Sequence, residues 1–485
     1  MDSAARLDAI LAQARTDRGR LDAGAVGLFS LTTLGIASVI GAGIFVTTGE
    51  AAAEFAGPAV VISFVLAGIA AGLTAVCYAE LAAMIPIAGS TYSYAYAAFG
   101  MFMAWFIGWD LLLEYLFAAS TVAVGWSGYF ESFLGSVGLH VPHDLVNAPF
   151  GDDPGIVNVP AVLIVFAATA LLVVGTRQSA RTNNAMVSLK MVILVLFAIV
   201  GAAYVTPDNW EPFVPPNDGT FGEYGLSGIV RGAGIVFFAY VGFDAVSTAA
   251  AEARDPQRTV PLGLLLTVAI STLLYVAIGF VLTGLVPYGT LDVADPISKA
   301  IEAAGPGAAW LDNAIDIAAV VGLASTVLVT FYGQTRILMR MSSDGMLPPV
   351  FARVSERFRT PAFTTIVCGA AGAIVAGLVP ITVLGQLVSI GTLMAFLLVC
   401  AGVLVLRRTH PHLERPFRVP RVNLVAPLGI LSALGLMVTL PADTWIRLAV
   451  WLAIGVAIFF LYARRHTAER FAALASGERE VVADD

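Results

Sequence analysis

Long apolar stretches recur along almost the whole chain, and short polar segments separate them. A helix that crosses a bilayer needs about 20 apolar residues, so each stretch of this length predicts at least one membrane span. We predict twelve spans from the apolar runs 23–49, 55–79, 81–130, 154–176, 182–207, 226–251, 259–291, 310–335, 360–406, 422–442 and 445–463. The run 360–406 is uncharged and too long for one crossing, so we expect two helices there, with a turn marked by Gly377, Pro380 and Gly385.

The distribution of lysine and arginine predicts the orientation of the spans. If both termini lie inside the cell, 22 of the 26 Lys and Arg residues fall in cytoplasmic segments, whereas only two fall in outer loops. Cytoplasmic loops of membrane proteins are enriched in these residues. We therefore predict a multi-pass protein of the cell (inner) membrane with both termini in the cytoplasm, and the same asymmetry supports the span count.

Composition excludes several classes of protein. Hydrophobic residues make up 58% of the 485 residues and charged residues 12%, whereas a soluble domain has about 45–50% and about 25%. The three cysteines lie in apolar runs, the five histidines lie outside them, and no catalytic or metal-binding motif is present. We therefore expect a protein that is not an enzyme, has no metal, cofactor or nucleic-acid partner, and works in a lipid bilayer; its oligomeric state stays open.

The first span contains an unusual small-residue motif, formed by Ile40, Gly41, Ala42 and Gly43. Glycine costs about 1 kcal/mol relative to alanine inside a helix, so this motif makes a poor helix. Unwound backbone at membrane depth is tolerated where it is buried in protein or lines a cavity. Close packing of small residues is the other interpretation, and this span alone does not decide between them.

The sixth span repeats the feature, because Gly242 lies near its middle and Asp244 follows. Interrupted segments in corresponding positions of two halves are typical of transporters with inverted repeats. Free amides at 41–43 are suited to a carboxylate, because a helix N-terminus carries partial positive charge. Carbonyls at 37–40 and 238–241, Ala239 included, are suited to an ammonium. Together they predict a binding site for the backbone of an α-amino acid.

Three segments, 35–45, 237–244 and 252–261, resemble the amino acid–polyamine–organocation superfamily, and most of all its cationic amino acid transporter branch with its bacterial members. The resemblance implies an all-α membrane fold of the leucine-transporter type. This fold has a 5+5 inverted repeat, two additional C-terminal helices, and discontinuous helices 1 and 6. The resemblance also implies alternating access and, for bacterial members, proton coupling.

Lys190 interrupts the fifth span and is one of only two lysines in the chain. It lies nine residues past Arg181, which places it about 13 Å deep in a helix, too deep for easy snorkelling to the surface. A charged residue inside a span is a functional candidate by default. We predict a role in proton coupling, and the resemblance implies that Lys190 fills the position that sodium occupies elsewhere in the family.

Two acids, Asp110 and Glu114, lie one turn apart near the middle of the third span. They would repel each other if both were ionised, so one is expected to be protonated. The resemblance places Glu114 beside the substrate cavity, with Ala118 one turn further on. A structural bond between Glu114 and the broken backbone of a neighbouring helix is the alternative interpretation.

Other polar and aromatic residues have two interpretations each. The resemblance implies that Phe238 and Val241 line the cavity, Phe238 as a lid, while core packing is the alternative. Asp244 is either a helix cap or a ligand. For Arg231 we favour a structural role, in which it reaches either the outer interface or an acid such as Glu223. The hydroxyls of Ser325 and Thr326, weak ligand candidates, are expected to serve helix packing.

The domain organisation follows from these spans. We predict a cytoplasmic segment, two five-helix repeats, two additional helices and a cytoplasmic tail, at residues 1–28, 29–205, 226–408, 422–465 and 466–485. The predicted function is secondary active transport of a neutral or cationic α-amino acid by proton-coupled symport, the proton gradient being the driving force. Small apolar pocket positions favour neutral substrates. An exchanger without net proton flow and a membrane amino acid sensor are the alternatives.

Overall fold

The computed structural model describes residues 27–85, 90–150, 154–175, 180–217, 219–248 and 253–467, and its regular structure is helical. Within these residues, nine helical stretches are long and apolar enough to cross a membrane, and three shorter apolar helices accompany them. The predicted class, an all-α membrane protein, is confirmed. The count of twelve crossings and the 5+5 repeat stay predictions.

The helices follow one another with short connections. In chain order they are α1 (Leu28–Val39), α2 (43–56), α3 (Val60–Met84), α4 (Ser90–Phe99), α5 (Met101–Ser136), α6 (Val159–Val174), α7 (Ala180–Gly201), α8 (Gly225–Val236), α9 (Ala245–Thr248), α10 (Pro256–Leu285), α11 (Pro296–Glu302), α12 (Ala309–Ser343), α13 (Ala362–Leu378), α14 (Ile381–Thr409), α15 (Val422–Thr439) and α16 (Ala442–Ile458). α2 is wound more widely than an α-helix over Gly43–Thr47 and Ala51–Ala56.

Polar and special residues set the ends of these apolar helices. At the start of α6 the side chain of Asn158 accepts a hydrogen bond from the amide of Ala161, which satisfies one of the first free amides of the helix. Gly175 ends the same helix in the left-handed conformation that glycine adopts without strain (φ 76°). Pro380 and Pro441 directly precede α14 and α16. Asparagine, glycine and proline residues therefore set the ends of α6 and the starts of α14 and α16.

Three details differ from the sequence prediction. Gly385 lies inside α14 and not in the turn before it, which is formed at Val379 and Pro380. The run 81–130 contains two helices, because Gly100 takes a positive φ of 90° and separates α4 from α5. The short helix α11 was not predicted at all, since seven residues give too little periodicity to recognise.

Several predicted features fall on residues that the structure does not describe. The predicted cytoplasmic segment 1–28 and tail 466–485 lie outside the described residues, apart from 27–28 and 466–467. From the sequence, Pro86 and Gly89 also predict a loop within the run 81–130, and both residues lie outside the described ones.

Helices from the two halves of the chain pack against each other in pairs. The most extensive contacts join α5 to α12 and α3 to α10, and α6 packs against α13 in the same way. The buried core runs through the centre of these pairs and includes both halves of the first predicted span. α5 and α12 have 36 and 35 residues, so each is about 50 Å long and exceeds the roughly 30 Å hydrocarbon thickness of a bilayer.

A buried ion cluster fastens the segment after α14 to the end of α3. The carboxylate of Glu80 is 2% exposed and accepts two hydrogen bonds from the Arg407 guanidinium, at 2.9 and 2.5 Å. The amide of Val419 donates to the same carboxylate at 2.7 Å, and Nε of Arg415 lies 3.3 Å from it. A carboxylate removed from water needs such partners, so the cluster depends on Glu80 being ionised.

A second, more exposed ion pair joins α4 to the end of α12. The Arg340 guanidinium donates to the carboxylate of Asp344 at 3.1 Å, and the Tyr92 hydroxyl donates to the same oxygen at 2.9 Å. The two charged side chains are 39% and 24% exposed. Water competes for this pair, so its contribution to stability is small.

The short helix α11 is anchored by Asp316 of α12. The carboxylate of Asp316 accepts hydrogen bonds from Ser132 of α5, at 2.9 Å, and from Ser298 of α11. Asp295, immediately before α11, is partly buried at this junction. Its burial and the nearby carboxylate of Glu131 raise the pKa of Asp295 to about 6.

Candidate functional site

The first predicted span is interrupted where its small-residue motif lies. α1 ends at Val39, Ile40 is extended (φ −77°, ψ 96°), and helical structure resumes at Ala42 and Gly43. The last carbonyls of α1 and the first amides of α2 have no partners further along their own helix, because the chain leaves the helix between them. The predicted break at 40–43 is confirmed.

The sixth predicted span is interrupted as well. α8 passes into a tight helical turn at Phe237–Tyr240, Val241 is extended (ψ 134°), and Gly242 takes a positive φ of 101° before α9 begins. A side chain at position 242 would be strained, and its Cβ would lie 3.0 Å from the carbonyl oxygen of Ser38. Glycine therefore permits both the turn and the approach to α1.

The two breaks lie directly against each other. A Cβ atom placed on Gly43 would be 2.3 Å from Cα of Ala239, so the absent side chain lets two backbones touch. Ala42 is fully buried, and Ala239 is too. The two interrupted helices are therefore in direct contact at positions 43 and 239.

A tyrosine of α10 connects both breaks, and sequence reasoning did not identify it. The hydroxyl oxygen of Tyr275 lies 2.8 Å from the carbonyl oxygen of Ala239 and 3.1 Å from that of Val39. Its side chain is fully buried, where an unpaired carbonyl would be costly. Tyr275 lies in an ordinary apolar helix, so no local signal distinguishes it from a core tyrosine.

Lys190 meets the end of α1. Its Nζ donates to the carbonyl oxygens of Ala37 at 2.9 Å and Ile40 at 2.7 Å, and it lies 3.4 Å from the hydroxyl of Thr326 in α12. The side chain is 2% exposed, so it does not snorkel to a surface. The negative end of the α1 dipole favours a cation at this position. Three oxygens around one ammonium form a cation site made by α1, α7 and α12.

Glycine and threonine of α12 make room for this lysine. The aliphatic part of Lys190 packs on Gly322, where an added Cβ would lie 3.2 Å from its Cβ. The hydroxyls of Ser325 and Thr326 both donate to the carbonyl of Gly322, at 2.7 and 3.0 Å. The expected packing role therefore describes Ser325, whereas Thr326 also faces the ammonium.

The predicted acids lie nearby on α5 but face different neighbours. Glu114 is 6% exposed and lies beside Asp244 and the hydroxyl of Thr392. Asp110 is fully buried against Gly391 of α14, and neither of its carboxylate oxygens has a hydrogen-bond partner within the described part of the chain. Of the two, Glu114 is the one placed toward the break at 241–244.

The remaining predicted pocket residues lie around the breaks. Ala118 is two helical turns from Gly125 on the same face of α5, and an added Cβ on Gly125 would lie 3.8 Å from Cβ of Ala42. Phe238 is 6% exposed within the tight turn, and Val241 is partly exposed directly after it. Phe238 and Val241 thus lie at the break of the sixth span, whereas Ala118 lies on the face of α5 that packs against α2 at Gly125.

Side chains contact several of the carbonyls that are predicted to bind an ammonium. Lys190 already occupies the carbonyls of Ala37 and Ile40, and Tyr275 occupies those of Val39 and Ala239. Each of these four oxygens therefore has a side-chain donor already, and its second lone pair stays available. The carbonyls of Tyr240 and Val241 stay candidates for binding the substrate ammonium, because they lie where the tight turn ends.

A bundle of apolar helices in which two helices break side by side defines a membrane transport protein, because such breaks provide the central binding site of many secondary transporters. Residues 26–471 match the family described as Amino acid permease. The chain belongs to this family, within the amino acid–polyamine–organocation superfamily, and the resemblance drawn from the motifs is confirmed.

The chain is similar to transporters along most of its length. It is 44% identical over 439 residues to the methylthioribose transporter of Bacillus subtilis (strain 168), covering 90% of this chain and 93% of the relative. It is 44% identical over 446 residues to the branched-chain amino acid permease BcaP of the same strain, covering 91% and 93%. It is 37% identical over 381 residues to the vacuolar cationic amino acid transporter 4 of Arabidopsis thaliana, covering 79% and 63%.

Proposed function

We propose that this permease is a secondary active transporter that carries a neutral α-amino acid together with protons by alternating access. The names of similar proteins support an amino acid substrate, and one of them carries branched-chain amino acids. The small or apolar side chains of Ala42, Ala118 and Val241 leave no charged group to pair with a cationic side chain at their positions. We further propose that it lies in the cell membrane with both termini in the cytoplasm.

A 5+5 inverted repeat is part of this proposal. The partner helices α3 and α10, α5 and α12, and α6 and α13 are members of two successions of five predicted spans, each helix paired with its counterpart. Such pairing is expected when two similar halves interlock around a shared axis. The two breaks, in the first and the sixth spans, are also counterparts, and this supports a substrate site at their contact.

The substrate would lie across the two breaks. Its carboxylate would accept hydrogen bonds from the amides at 41–43, since a helix N-terminus attracts anions. Its ammonium would donate to the carbonyls at 240–241. Phe238 would cover the bound molecule, and Glu114 would lie at the edge of the cavity. No cofactor takes part in this scheme.

The lysine ammonium held at the end of α1 is the observation that carries the proton-coupling part of the proposal. Hydrogen bonds from a charged donor contribute about 1.5–3 kcal/mol each, against about 0.5–1.5 kcal/mol for neutral donors. Protonated Lys190 would therefore hold α7 to the first break more strongly than the neutral amine. Loss of the proton would loosen this attachment and allow the site to change its accessible side.

Lysine replacement tests the coupling. In proteoliposomes, K190A should abolish uptake driven by a proton gradient, while substrate binding to the purified variant stays measurable. K299A is the matched control, because Lys299 is the only other lysine and is exposed. Full proton-driven uptake in K190A would refute the coupling role.

A substrate screen tests the transport function itself. Uptake of the twenty amino acids and of methylthioribose should be measured with and without a proton gradient. We expect the strongest gradient-dependent signal from branched or other neutral amino acids. Uptake that requires a preloaded amino acid would indicate exchange, binding without flux would indicate a sensor, and preference for methylthioribose, the substrate named for a relative, would replace the amino acid assignment.

A further inference from the structure

A surface cavity lies away from both breaks, at the end of the bundle where α15 turns into α16. Its volume is about 350 Å³, within the range of about 300–1,000 Å³ that is usual for small-molecule pockets. It is lined by Phe221, Arg231, Val438, Thr439, Leu440, Pro441, Ala442 and Asp443. Opposite charges thus line one small cavity, and none of these residues belongs to the substrate site described above.

Arg231 brings unused hydrogen-bonding capacity to this cavity. One terminal nitrogen of its guanidinium donates to the carbonyl of Phe221 at 3.1 Å, and Cζ lies 5.0 Å from the ring centroid of Phe55. Its Nε is buried and has no hydrogen-bond partner among the residues that the structure describes. The predicted partner Glu223 is exposed and forms no ion pair with it there. The guanidinium therefore has a neutral carbonyl acceptor and no carboxylate partner among the described residues, so the cavity that it lines is suited to an anion.

The packing of the arginine is specific. Gly222 has a φ of 91°, and an added Cβ would lie 2.3 Å from Cδ of Arg231. The aromatic ring of Phe55 also packs against the guanidinium. Gly222 and Phe55 therefore hold the side chain of Arg231 where it lines the cavity.

The cavity lies at the depth of lipid headgroups. The turn at 440–441 joins two apolar helices, and a lipid-exposed turn is tolerated only outside the hydrocarbon region. Trp445 lies one turn into α16 and is 36% exposed, as is typical of aromatic residues at a membrane interface. Val438 and Leu226 are 69% and 80% exposed on the adjoining apolar surface. A ligand in the cavity therefore lies beside acyl chains.

We propose that this cavity, which we call the Arg231–Asp443 site, binds the headgroup of a zwitterionic phospholipid with a primary ammonium. Arginine binds phosphate through a planar fork of donors, so the lipid phosphate lies on Arg231. The carboxylate of Asp443 lies exposed in the first turn of α16 and accepts hydrogen bonds from the ammonium. Phosphatidylethanolamine has both groups. Phosphatidylcholine has no N–H donor, and phosphatidylglycerol has no cation for Asp443.

Native mass spectrometry of the purified full-length protein tests the site with defined lipids. The probes are palmitoyl-oleoyl phosphatidylethanolamine, phosphatidylcholine and phosphatidylglycerol, each added at equal concentration. We expect the wild-type protein to retain phosphatidylethanolamine in preference to the other two. R231Q should lose at least about tenfold in affinity for it, because charged hydrogen bonds are removed. R447Q is the matched control, an exposed arginine of α16 near the same end, and should bind as the wild type does.

A second variant keeps the test decisive if R231Q does not fold. Asp443 is exposed, so D443N should fold normally, and its affinity for phosphatidylethanolamine should fall to that for phosphatidylcholine. Equal binding of the three lipids to the wild type, or equal retention by R231Q and R447Q, would overturn the proposal. Free leucine is a further probe, because an amino acid has the same two charges; displacement of the lipid by leucine would assign the site to a soluble zwitterion instead.

Discussion

Replacing Gly43 with alanine tests whether contact between the two broken helices is required for transport. The added Cβ would lie 2.3 Å from Cα and 2.8 Å from N of Ala239. Carbon atoms in contact are normally about 3.5–4.0 Å apart, so the two backbones must separate by roughly 1.2–1.7 Å. Both of these atoms belong to the backbone of Ala239, so neither can rotate away as the end of a flexible side chain could. Overpacking of this kind costs about 1–3 kcal/mol.

The expected result of G43A is a loss of both stability and substrate affinity. Because 1.4 kcal/mol corresponds to a factor of ten, we expect affinity to fall by about tenfold or more if the separation is transmitted to the site. Thermal unfolding of the purified protein measures the first effect, and substrate binding followed by uptake in proteoliposomes measures the second.

A matched glycine distinguishes steric conflict from the general effect of alanine. Gly72 lies in α3, and its added Cβ would meet no atom within 4 Å. Since alanine is about 1 kcal/mol better than glycine inside a helix, G72A should be as stable as the wild type or more stable, with normal uptake. If G43A behaves as G72A does, the two breaks are not in the close contact described above.

Three further predictions concern single polar groups. Y275F should lower the free energy of unfolding by about 1–3 kcal/mol, because two buried carbonyls share its hydroxyl; Y332F, at a half-exposed tyrosine, should have no such effect in the same thermal assay. E80Q should lower the free energy of unfolding by about 3–5 kcal/mol, since it leaves two arginines without their carboxylate. D344N, in the more exposed ion pair, should lower it by less than about 1 kcal/mol. Equal losses in the two variants would contradict the role of burial. The pKa of Asp295 is raised to about 6 in the folded protein, so its contribution to stability is present below about pH 4 and is lost as the pH rises through 6. D295N should therefore match the stability of the wild type at low pH and exceed it above pH 6. A difference in stability that does not change with pH would refute this.

Sequence reasoning succeeded where a local pattern conflicts with its surroundings. Gly41, Gly43 and Gly242 weaken helices at membrane depth, and Lys190 places a charge among apolar residues, so each position was recognisable without coordinates. The positions of the two breaks followed directly from these residues. The composition likewise determined the class of protein.

Other parts of the site depend on contacts between distant segments, which no local pattern reveals. Tyr275 is 36 residues from Ala239 and 236 from Val39 along the chain, and only the packing of α10 brings its hydroxyl to both carbonyls. For the same reason the sequence did not predict that the ammonium of Lys190 contacts the carbonyls of Ala37 and Ile40. The lining of the Arg231–Asp443 site also joins segments that are far apart in sequence.

The bond between Tyr275 and both breaks has a mechanical consequence. With Gly43 of α2 packed on the backbone of Ala239 as well, α1, α2, α10 and the tight turn at 237–240 are joined by two hydrogen bonds and one close backbone contact. None of these pieces can slide past another without breaking a buried bond. In the alternating access proposed above, these segments would therefore move as one block. The surfaces that slide in that scheme would lie where this block meets α5, α7 and α12, and the ammonium of Lys190 crosses one of them.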